Sequence, residues 1–245
     1  MNSSLSRRRF IRNNIAAAIA VASFPSIIPA SALGKAGQST PSNRIGVGCI
    51  GVGPQGRGVM GGFLSQDGAQ VIALCDVANK NLDLAREQVN QKYQNKDCST
   101  YHDFRELLAR RDIDTVLIAT PDHWHVPVAV AAARAGKHIY LEKPMGLSVA
   151  EDQRLRKLVQ EKEVVFQFGT QQRSSKEFRR AVELVRNGRI GRLKQINVWC
   201  VGSQPGGSTT PVPVPEGLDY ERWLGPAPKS PYTVEIGRAS CRERV

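Results

Sequence analysis

A glycine-rich turn between an apolar segment and a helix-compatible segment constrains this chain more than any other feature. Residues 45–50 are almost entirely apolar, and the turn after them carries Gly51, Gly53 and Gly56 in a G-x-G-x-x-G pattern. In a strand–turn–helix unit, the first glycine permits the tight turn, the second lets a pyrophosphate approach the backbone, and the third allows close helix–strand packing. Backbone amides at the helix start then face the anion. The predicted phosphate-binding residues are Gly51, Val52, Gly53, Pro54, Gln55 and Gly56.

A single acidic residue supports the interpretation of this turn as a dinucleotide site. Asp76 ends the apolar segment 71–75, twenty residues after Gly56. A carboxylate there accepts hydrogen bonds from the hydroxyls of the adenosine ribose and repels a 2′-phosphate, which favours NAD over NADP. Lys80 lies close enough in the sequence to keep NADP open as an alternative. A second alternative is that Asp76 only caps the following helix or stabilises a turn.

The segments between residues 44 and 168 alternate between two patterns. Short apolar runs predict strands at 45–50, 71–75, 115–119, 138–141 and 164–168. Segments with mostly helical spacing predict helices at 55–65, 79–92, 104–110, 124–135 and 148–161. Apolar strands alternating with amphipathic helices indicate a parallel sheet covered on both faces. We therefore expect an α/β fold with a Rossmann-type doubly wound parallel sheet over residues 44–168.

The pattern changes beyond residue 168. A helix is predicted at 176–186 and a strand at 193–201, followed by a stretch rich in glycine and proline. We expect residues 169–234 to be the truncated start of a C-terminal α+β domain with an open-faced sheet for substrate binding and dimerisation. One or two strands do not bury a sheet face alone, so this domain is incomplete as written.

The first 32 residues have the order of charge, apolar core and cleavage site that is typical of a twin-arginine signal peptide. The segment Ser6-Arg7-Arg8-Arg9-Phe10-Ile11-Arg12 resembles the twin-arginine motif, residues 15–28 are moderately apolar, and Ala30-Ser31-Ala32 is a small-x-small cleavage site. Prolines interrupt the apolar stretch, so no stable membrane span is predicted. The expected partner is the twin-arginine export machinery and the expected location is the periplasm or another exported compartment. The alternative is a disordered basic tail. Residues 33–43 are predicted to be a linker.

The last eleven residues, 235–245, have no periodicity and raise the local arginine density. They resemble the translation of a sequencing-adapter oligonucleotide. We expect a non-native tail, with the natural sequence truncated near residue 234.

The charge and cysteine content exclude several other classes of protein. The net charge is +12, but four arginines without any acid lie in residues 1–32, and the remainder is spread over the chain without a basic block. Nucleic acid is therefore not an expected partner. The five cysteines include no C-x-x-C spacing, so buried thiols are expected, and no metal site is predicted.

Polar residues follow three further predicted strands. Ligands of open α/β sheets bind beyond the carboxyl ends of the strands, so these residues are expected to converge with the glycine turn. The three segments are Thr120-Pro121 with His123 and His125, then Glu142-Lys143-Pro144, then the segment from Gln171 to Arg173.

The glycine turn, the Thr-Pro-x-x-x-His segment and the Glu-Lys-Pro segment, in that order and spacing, resemble the Gfo/Idh/MocA oxidoreductase family. The exported branch with glucose–fructose oxidoreductase-like proteins is most similar, over residues 44 to about 232. The resemblance implies NAD or NADP as cofactor and hydride transfer between nicotinamide and a sugar, inositol or related polyol. Some members instead cleave glycosides by transient oxidation at C3 while NAD is retained. A third possibility is a non-catalytic nucleotide-binding fragment.

The resemblance also implies roles for individual residues. Lys143 and His125 are the implied catalytic residues, close to the nicotinamide and the substrate hydroxyl. Thr120, Pro121, His125, Glu142 and Lys143 complete the implied cofactor site, and Gln171 and Arg173 are candidate substrate residues. His123 either belongs to the site or donates to backbone at the helix start. Trp223 is expected to pack at the domain junction rather than stack on a sugar.

One departure from the family pattern is present. Family members supply a further Asp and His from a glycine-containing motif in the second domain, and no such motif occurs before Val245. The chain as written is expected to bind nucleotide without its complete acid–base apparatus. A homo-oligomer is expected only for the full-length protein, because members pair through the second-domain sheet.

Overall fold

Parallel strands in a single sheet organise the part of the chain that the structure describes. The computed structural model describes residues 43–199 and 208–233. In chain order the strands are β1 (Ile45–Ile50), β2 (Ala69–Cys75), β3 (Ser99–Tyr101), β4 (Thr115–Ile118), β5 (His138–Glu142) and β6 (Phe166–Gly169). Their order across the sheet is β3-β2-β1-β4-β5-β6, and every pairing is parallel. This order is that of the Rossmann fold, so the predicted fold class is confirmed.

Helices connect the strands and cover both faces of the sheet. They are α1 (Pro54–Leu64), α2 (Asn79–Tyr93), α3 (Phe104–Leu108), α4 (Asp122–Arg134), α5 (Val149–Glu161), α6 (Lys176–Arg186) and α7 (Tyr220–Leu224), with a 3-10 helix at Gln171–Ser174. The ends are set by local chemistry. The Ser148 hydroxyl accepts a hydrogen bond from the Glu151 amide at the start of α5, and Gly136 takes a positive φ after α4.

Two apolar clusters, one on each face, hold the helices against the sheet. On one face, Val47, Leu74 and Leu117 of the sheet are fully buried with Met60 of α1 and Val89 of α2. On the other face, strand residues pack with α3, α4 and α5. Each such buried aliphatic side chain contributes about 1.5–3 kcal/mol relative to exposure. This packing fixes where the strands end, and hence the positions of the residues that follow them.

The structure corrects two predictions of secondary structure. The strand predicted at 193–201 is wrong for residues 193–199, which form no strand; residues 200–201 lie outside the described residues. Trp199 is 85% exposed, because no strand within residues 43–199 and 208–233 pairs with this segment. Conversely, β3 was not predicted from the sequence. It has three residues and lies at the sheet edge beside β2.

Several other predictions concern residues that the structure does not describe. The signal peptide (1–32), nearly all of the linker (33–43) and the tail (235–245) lie outside the described residues. Within the described residues, none of the helices has the length and apolar character needed to cross a membrane.

Candidate functional site

The three glycines of the turn have distinct steric roles. Gly51 has φ +80°, and a Cβ there would lie 2.6 Å from the backbone of Ala119. A Cβ on Gly56 would lie 2.0 Å from the carbonyl oxygen of Gly51. In contrast, the nearest atom to a Cβ on Gly53 is the Asn81 side-chain nitrogen, at 3.9 Å. The first and third glycines therefore allow close backbone packing, whereas the second opens onto free space.

Helix α1 begins directly at this turn. Gly53 is its N-cap residue and provides no side-chain cap, and no acidic residue occupies the first turn. The first amides of a helix have no partner within the helix, and the helix dipole adds partial positive charge at this end. The start of α1 therefore offers uncapped donors to an anion.

A cleft of about 510 Å³ opens at the carboxyl ends of the strands, beside this turn. Most of the residues predicted for the site line it: Gly51, Gly53, Pro54, Gln55, Gly56, Asp76, Thr120, Pro121, His125, Glu142 and Lys143. Three predicted residues do not line it: Val52, Gln171 and Arg173. Val52 is fully buried, and its backbone amide donates a hydrogen bond to the carboxylate of Asp76.

Asp76 lies at the end of β2 and holds the glycine turn. Its carboxylate accepts hydrogen bonds from the amides of Val52 and Ala78, each at 2.9 Å. The Asn81 amide group lies 3.3 Å from both carboxylate oxygens. Burial raises the pKa of the Asp76 carboxyl above its ordinary value. Asp76 thus has the turn-stabilising role that the sequence left open as an alternative, and it also lines the cleft.

His125 connects two of the predicted segments. Its Nε2 lies 2.9 Å from the carbonyl oxygen of Thr120, and its Nδ1 contacts the carbonyl oxygen of Pro144. The side chain is 1% exposed. Carbonyl oxygens only accept, so each contact is a hydrogen bond when the ring nitrogen that faces it carries the proton. His125 therefore ties the loop after β4 to the loop after β5.

The Thr120 hydroxyl faces the same region. Its Oγ1 is buried and has no hydrogen-bond partner within the described part of the chain. A buried hydroxyl without a partner is costly, and a bound ligand can satisfy it. Thr120 lines the cleft between the glycine turn and His125.

Glu142 ends β5 and Lys143 follows it directly, and the Lys143–Pro144 peptide is cis. Glu142 is 2% exposed. Its carboxylate accepts from the amide of Lys143 at 3.3 Å and from the side-chain amide of Gln171. Lys143 itself is exposed at the cleft. Gln171, predicted as a substrate residue, thus holds a buried carboxylate next to the lysine.

Two further predictions concern residues at the edges of the cleft. Arg173 is exposed on the 3-10 helix and lies outside the cleft lining. His123 is buried, and its Nε2 lies 2.8 Å from the carbonyl oxygen of Trp223. This is the backbone contact at a helix start that the sequence left open for His123. Trp223 packs on the ring of His123, with centroids 5.5 Å apart.

Part of the cleft was missed by the sequence reasoning. Residues from the loop after β3 and from the segment near α7 form its other end: His102, Asp103, Phe104, Arg105, Leu218, Tyr220, Arg222, Trp223 and Tyr232. The only signal in the sequence was the concentration of aromatic residues between 220 and 232.

The site fits a dinucleotide. The open space at Gly53 and the uncapped start of α1 suit a pyrophosphate. Asp76 suits a ribose, and the unpaired Thr120 hydroxyl offers a further polar contact. No group of three or more His, Cys, Asp or Glu residues that could hold a metal ion occurs within residues 43–199 and 208–233.

Comparisons with known proteins agree with this geometry. Residues 45–170, just over half of the chain, match the family model GFO_IDH_MocA, described as "Oxidoreductase family, NAD-binding Rossmann fold". Among solved structures, scyllo-inositol dehydrogenase from Lactobacillus casei with bound NAD(H) and scyllo-inositol is similar with a TM-score of 0.54 and 27% identity, covering 60% of this chain and 42% of that chain. A probable dehydrogenase from Thermotoga maritima is similar with a TM-score of 0.52 and 27% identity, over 60% and 42% of the two chains.

Curated relatives carry names of a different reaction class. "Glycosyl hydrolase family 109 protein 2" from Shewanella sp. strain ANA-3 is 38% identical over 112 residues, which are 44% of this chain and 25% of that protein. "Alpha-N-acetylgalactosaminidase" from Shewanella oneidensis is 41% identical over 108 residues, or 43% and 24% of the two. The match spans about a quarter of the length of these relatives. The family model covers the strands, the glycine turn and the segments that contain Thr120 and Lys143. The chain therefore belongs to the Gfo/Idh/MocA oxidoreductase family and carries its NAD-binding Rossmann domain.

Proposed function

We propose that this protein is an NAD-dependent oxidoreductase that acts on a CH–OH group of a sugar, inositol or related polyol. The observation that carries the proposal is that one cleft contains both Gly53 of the phosphate turn and Lys143 at the end of β5. A dinucleotide with its pyrophosphate at the turn can then present its nicotinamide toward the lysine. The inositol dehydrogenase structure with bound NAD(H) and scyllo-inositol supports a polyol as the substrate class.

In this proposal each residue has one task. NAD, when held at the glycine turn, would supply the hydride acceptor or donor for the substrate C–H bond. The ammonium or amine of Lys143 exchanges the proton of the substrate hydroxyl. Glu142 and Gln171 fix the backbone from which Lys143 projects. His125 positions the Thr120 and Pro144 loops rather than carrying a proton, because both of its ring nitrogens face backbone carbonyl oxygens.

The test is Lys143→Met, which keeps an unbranched side chain of similar length but removes the amine. Removing a general acid–base typically costs about 10²–10⁴ in turnover. We expect that loss in NADH formation with a polyol substrate when the variant is made in the full-length protein, with NAD affinity nearly unchanged. Lys162→Met, at the exposed end of α5, is the control and keeps full turnover. Unchanged turnover of Lys143→Met would falsify the assignment.

A second candidate function comes from the names of the curated relatives. A glycoside hydrolase of this family oxidises the sugar at C3, eliminates the aglycone, adds water and reduces C3 again. The hydride returns to the sugar, so no net nicotinamide is consumed. Release of 4-nitrophenol from 4-nitrophenyl N-acetyl-α-galactosaminide without added NAD supports this candidate. NADH accumulation with a free polyol, and no release of nitrophenol, supports the dehydrogenase.

Export by the twin-arginine pathway belongs to the same proposal. That pathway carries folded proteins, which suits an enzyme that acquires its nucleotide in the cytoplasm. The double variant Arg7→Lys/Arg8→Lys is expected to stay in the cytoplasm, and Arg12→Lys is the matched control that is still exported. Equal periplasmic fractions for both variants would contradict it.

A further inference from the structure

Residues 217–232, here called the strap, are bonded to the loop that follows β2. Ala78 and Leu218 form an isolated antiparallel bridge. The amide of Asn79 donates to the carbonyl oxygen of Gly217 at 2.8 Å. The amide of Asp219 donates to the carbonyl oxygen of Val77 at 2.9 Å. The strap is therefore anchored directly beyond Asp76.

The strap is also bonded to the start of α4. The indole N–H of Trp124 lies 3.0 Å from the carbonyl oxygen of Arg222 and 3.1 Å from that of Trp223. Gly225 has φ +50°, and a Cβ there would lie 2.0 Å from the Trp124 ring. Only glycine lets the strap come this close in that conformation. The strap therefore crosses from the loop after β2 to the loop after β4.

Side chains of the strap form one wall of the cleft. The strap residues that line it are Leu218, Tyr220, Arg222, Trp223 and Tyr232. The rings of Tyr220 and Trp223 are stacked, with centroids 5.8 Å apart and planes at 22°. Tyr220 is buried, whereas Trp223 is half-buried. Both rings therefore line the cleft, and Tyr220 stacks on one face of Trp223.

The two arginines near this wall each form an ion pair with an aspartate two or three residues away in the sequence. Arg222 forms an ion pair with Asp219 at 3.4 Å, and Arg105 forms one with Asp103 at 3.2 Å. Arg105 also lies 4.6 Å from the centroid of the Phe104 ring. This end of the cleft therefore offers aromatic surface with balanced charge, which suits a flat, neutral heterocycle better than a phosphate.

The position of the wall identifies the heterocycle. The pyrophosphate site at the glycine turn has Lys143 on one side and Asp76 on the other, and the strap lies beyond Asp76. In a Rossmann domain the ribose next to the acidic residue at the end of β2 is that of adenosine. We propose that the strap forms the adenine-binding wall of the NAD site, with the purine against Trp223. This inference rests on the proposed NAD-dependent function and assigns a binding role to residues outside the Rossmann segment.

The test separates the two halves of the dinucleotide. NADH binding to the purified protein is measured by fluorescence, and AMP and nicotinamide mononucleotide are then titrated as competitors. The variants are Trp223→Ala, which removes the ring, and Gly225→Ala, which forces the strap away from Trp124. The controls are Trp199→Ala, an exposed tryptophan outside the cleft, and Gly188→Ala, a positive-φ glycine with free space around its Cβ.

Both strap variants are expected to weaken AMP binding by roughly tenfold, as expected for loss of one base–aromatic contact, while competition by nicotinamide mononucleotide stays within about twofold. The controls leave both competitors unchanged. A variant without a cooperative thermal melt is replaced by Trp223→Leu, which keeps apolar volume without the flat ring. Unchanged AMP competition, or equal weakening of both competitors, overturns the assignment. If the wild-type protein does not bind NADH, the proposed function itself has failed.

Discussion

The carboxylate of Asp76 accepts a hydrogen bond from the backbone amide of Val52, with 2.9 Å between Oδ2 and the nitrogen. The end of β2 thereby holds the glycine turn that follows β1. The acid that the sequence assigns to the ribose is thus also part of the structure of the phosphate site.

This contact predicts a specific pH dependence of stability. Burial raises the pKa of the Asp76 carboxyl in the folded protein above its ordinary value. At a pH between these two pKa values, the native state keeps a proton on Asp76 that the unfolded chain releases. The contribution of Asp76 to the free energy of unfolding is then full below the ordinary pKa and falls as pH rises through that interval.

The variant Asp76→Asn has no such titration. The carboxamide of this variant has one acceptor oxygen instead of two. The resulting change in the free energy of unfolding does not depend on pH. As pH rises above about 4, the ordinary value for an aspartate, the unfolding free energy of the wild type is expected to fall relative to that of the variant. Urea titrations of both proteins across this range measure the difference. A constant difference, or one of opposite slope, would show that the ionisation of Asp76 is not linked to folding in this way.

Two glycines of the turn are expected to separate stability from binding. Gly56→Ala places a methyl group 2.0 Å from the carbonyl oxygen of Gly51, so we expect a loss of about 1–3 kcal/mol of unfolding free energy. Gly53→Ala meets nothing closer than 3.9 Å. We expect it to keep its stability within about 0.5 kcal/mol and to lose about tenfold in NAD affinity, since its methyl group projects where the phosphates approach. Thermal melts and NADH titrations give both quantities, and a Gly53 variant that binds NADH normally contradicts the phosphate site.

Gln171 is expected to act through Glu142. Gln171→Ala removes a donor from a buried carboxylate, which costs about 1–3 kcal/mol. Gln172→Ala, its exposed neighbour, is the control and stays within about 0.5 kcal/mol. Turnover of the Gln171 variant falls as well, because the backbone at Lys143 loses its support. An effect on substrate KM alone, with normal stability, would return Gln171 to the substrate role predicted from the sequence.

His125→Phe distinguishes a positioning role from proton transfer. The phenyl ring fills similar space but leaves the carbonyl oxygens of Thr120 and Pro144 without their contact. A positioning role predicts a loss of about 1–3 kcal/mol of stability together with weaker NAD binding and lower turnover. If turnover alone falls, with stability and NAD affinity intact, His125 carries a proton as the family resemblance implies.

The sequence predicted the part of the site that depends on local pattern. The apolar runs before Gly51, Asp76, Thr120 and Lys143 marked strand ends, and parallel strands bring such ends to one edge of a sheet. The strand β3 was missed because its three residues, from Ser99 to Tyr101, contain no apolar run. A short edge strand of this kind depends on its partner for its formation.

The strap could not be predicted from the sequence because its contacts are distant along the chain. The contact between His123 and Trp223 joins residues 100 positions apart. The acceptor in that contact is a backbone carbonyl oxygen. Every residue has such an oxygen, so the residue type at position 223 does not indicate the contact. The strand predicted at 193–201 shows the opposite error, since a local β pattern does not form a strand without a partner.

The contacts of His125 and Gln171 could not be predicted from the sequence either, because residue type does not indicate the partner of a side chain. Their residue types suit proton transfer and substrate binding equally well, and only the positions of the carbonyl oxygens and of Glu142 show what each side chain contacts. The export signal, the oligomeric state and the non-native tail stay predictions.

The most direct test of the account is a titration of the purified chain with NADH. A single saturable site is expected for the wild-type protein, with the affinity of Gly53→Ala reduced about tenfold and that of Lys143→Met nearly unchanged. Absence of saturable binding, or binding that Gly53→Ala leaves intact, would contradict the claim that the turn at residues 51–56 holds the nucleotide.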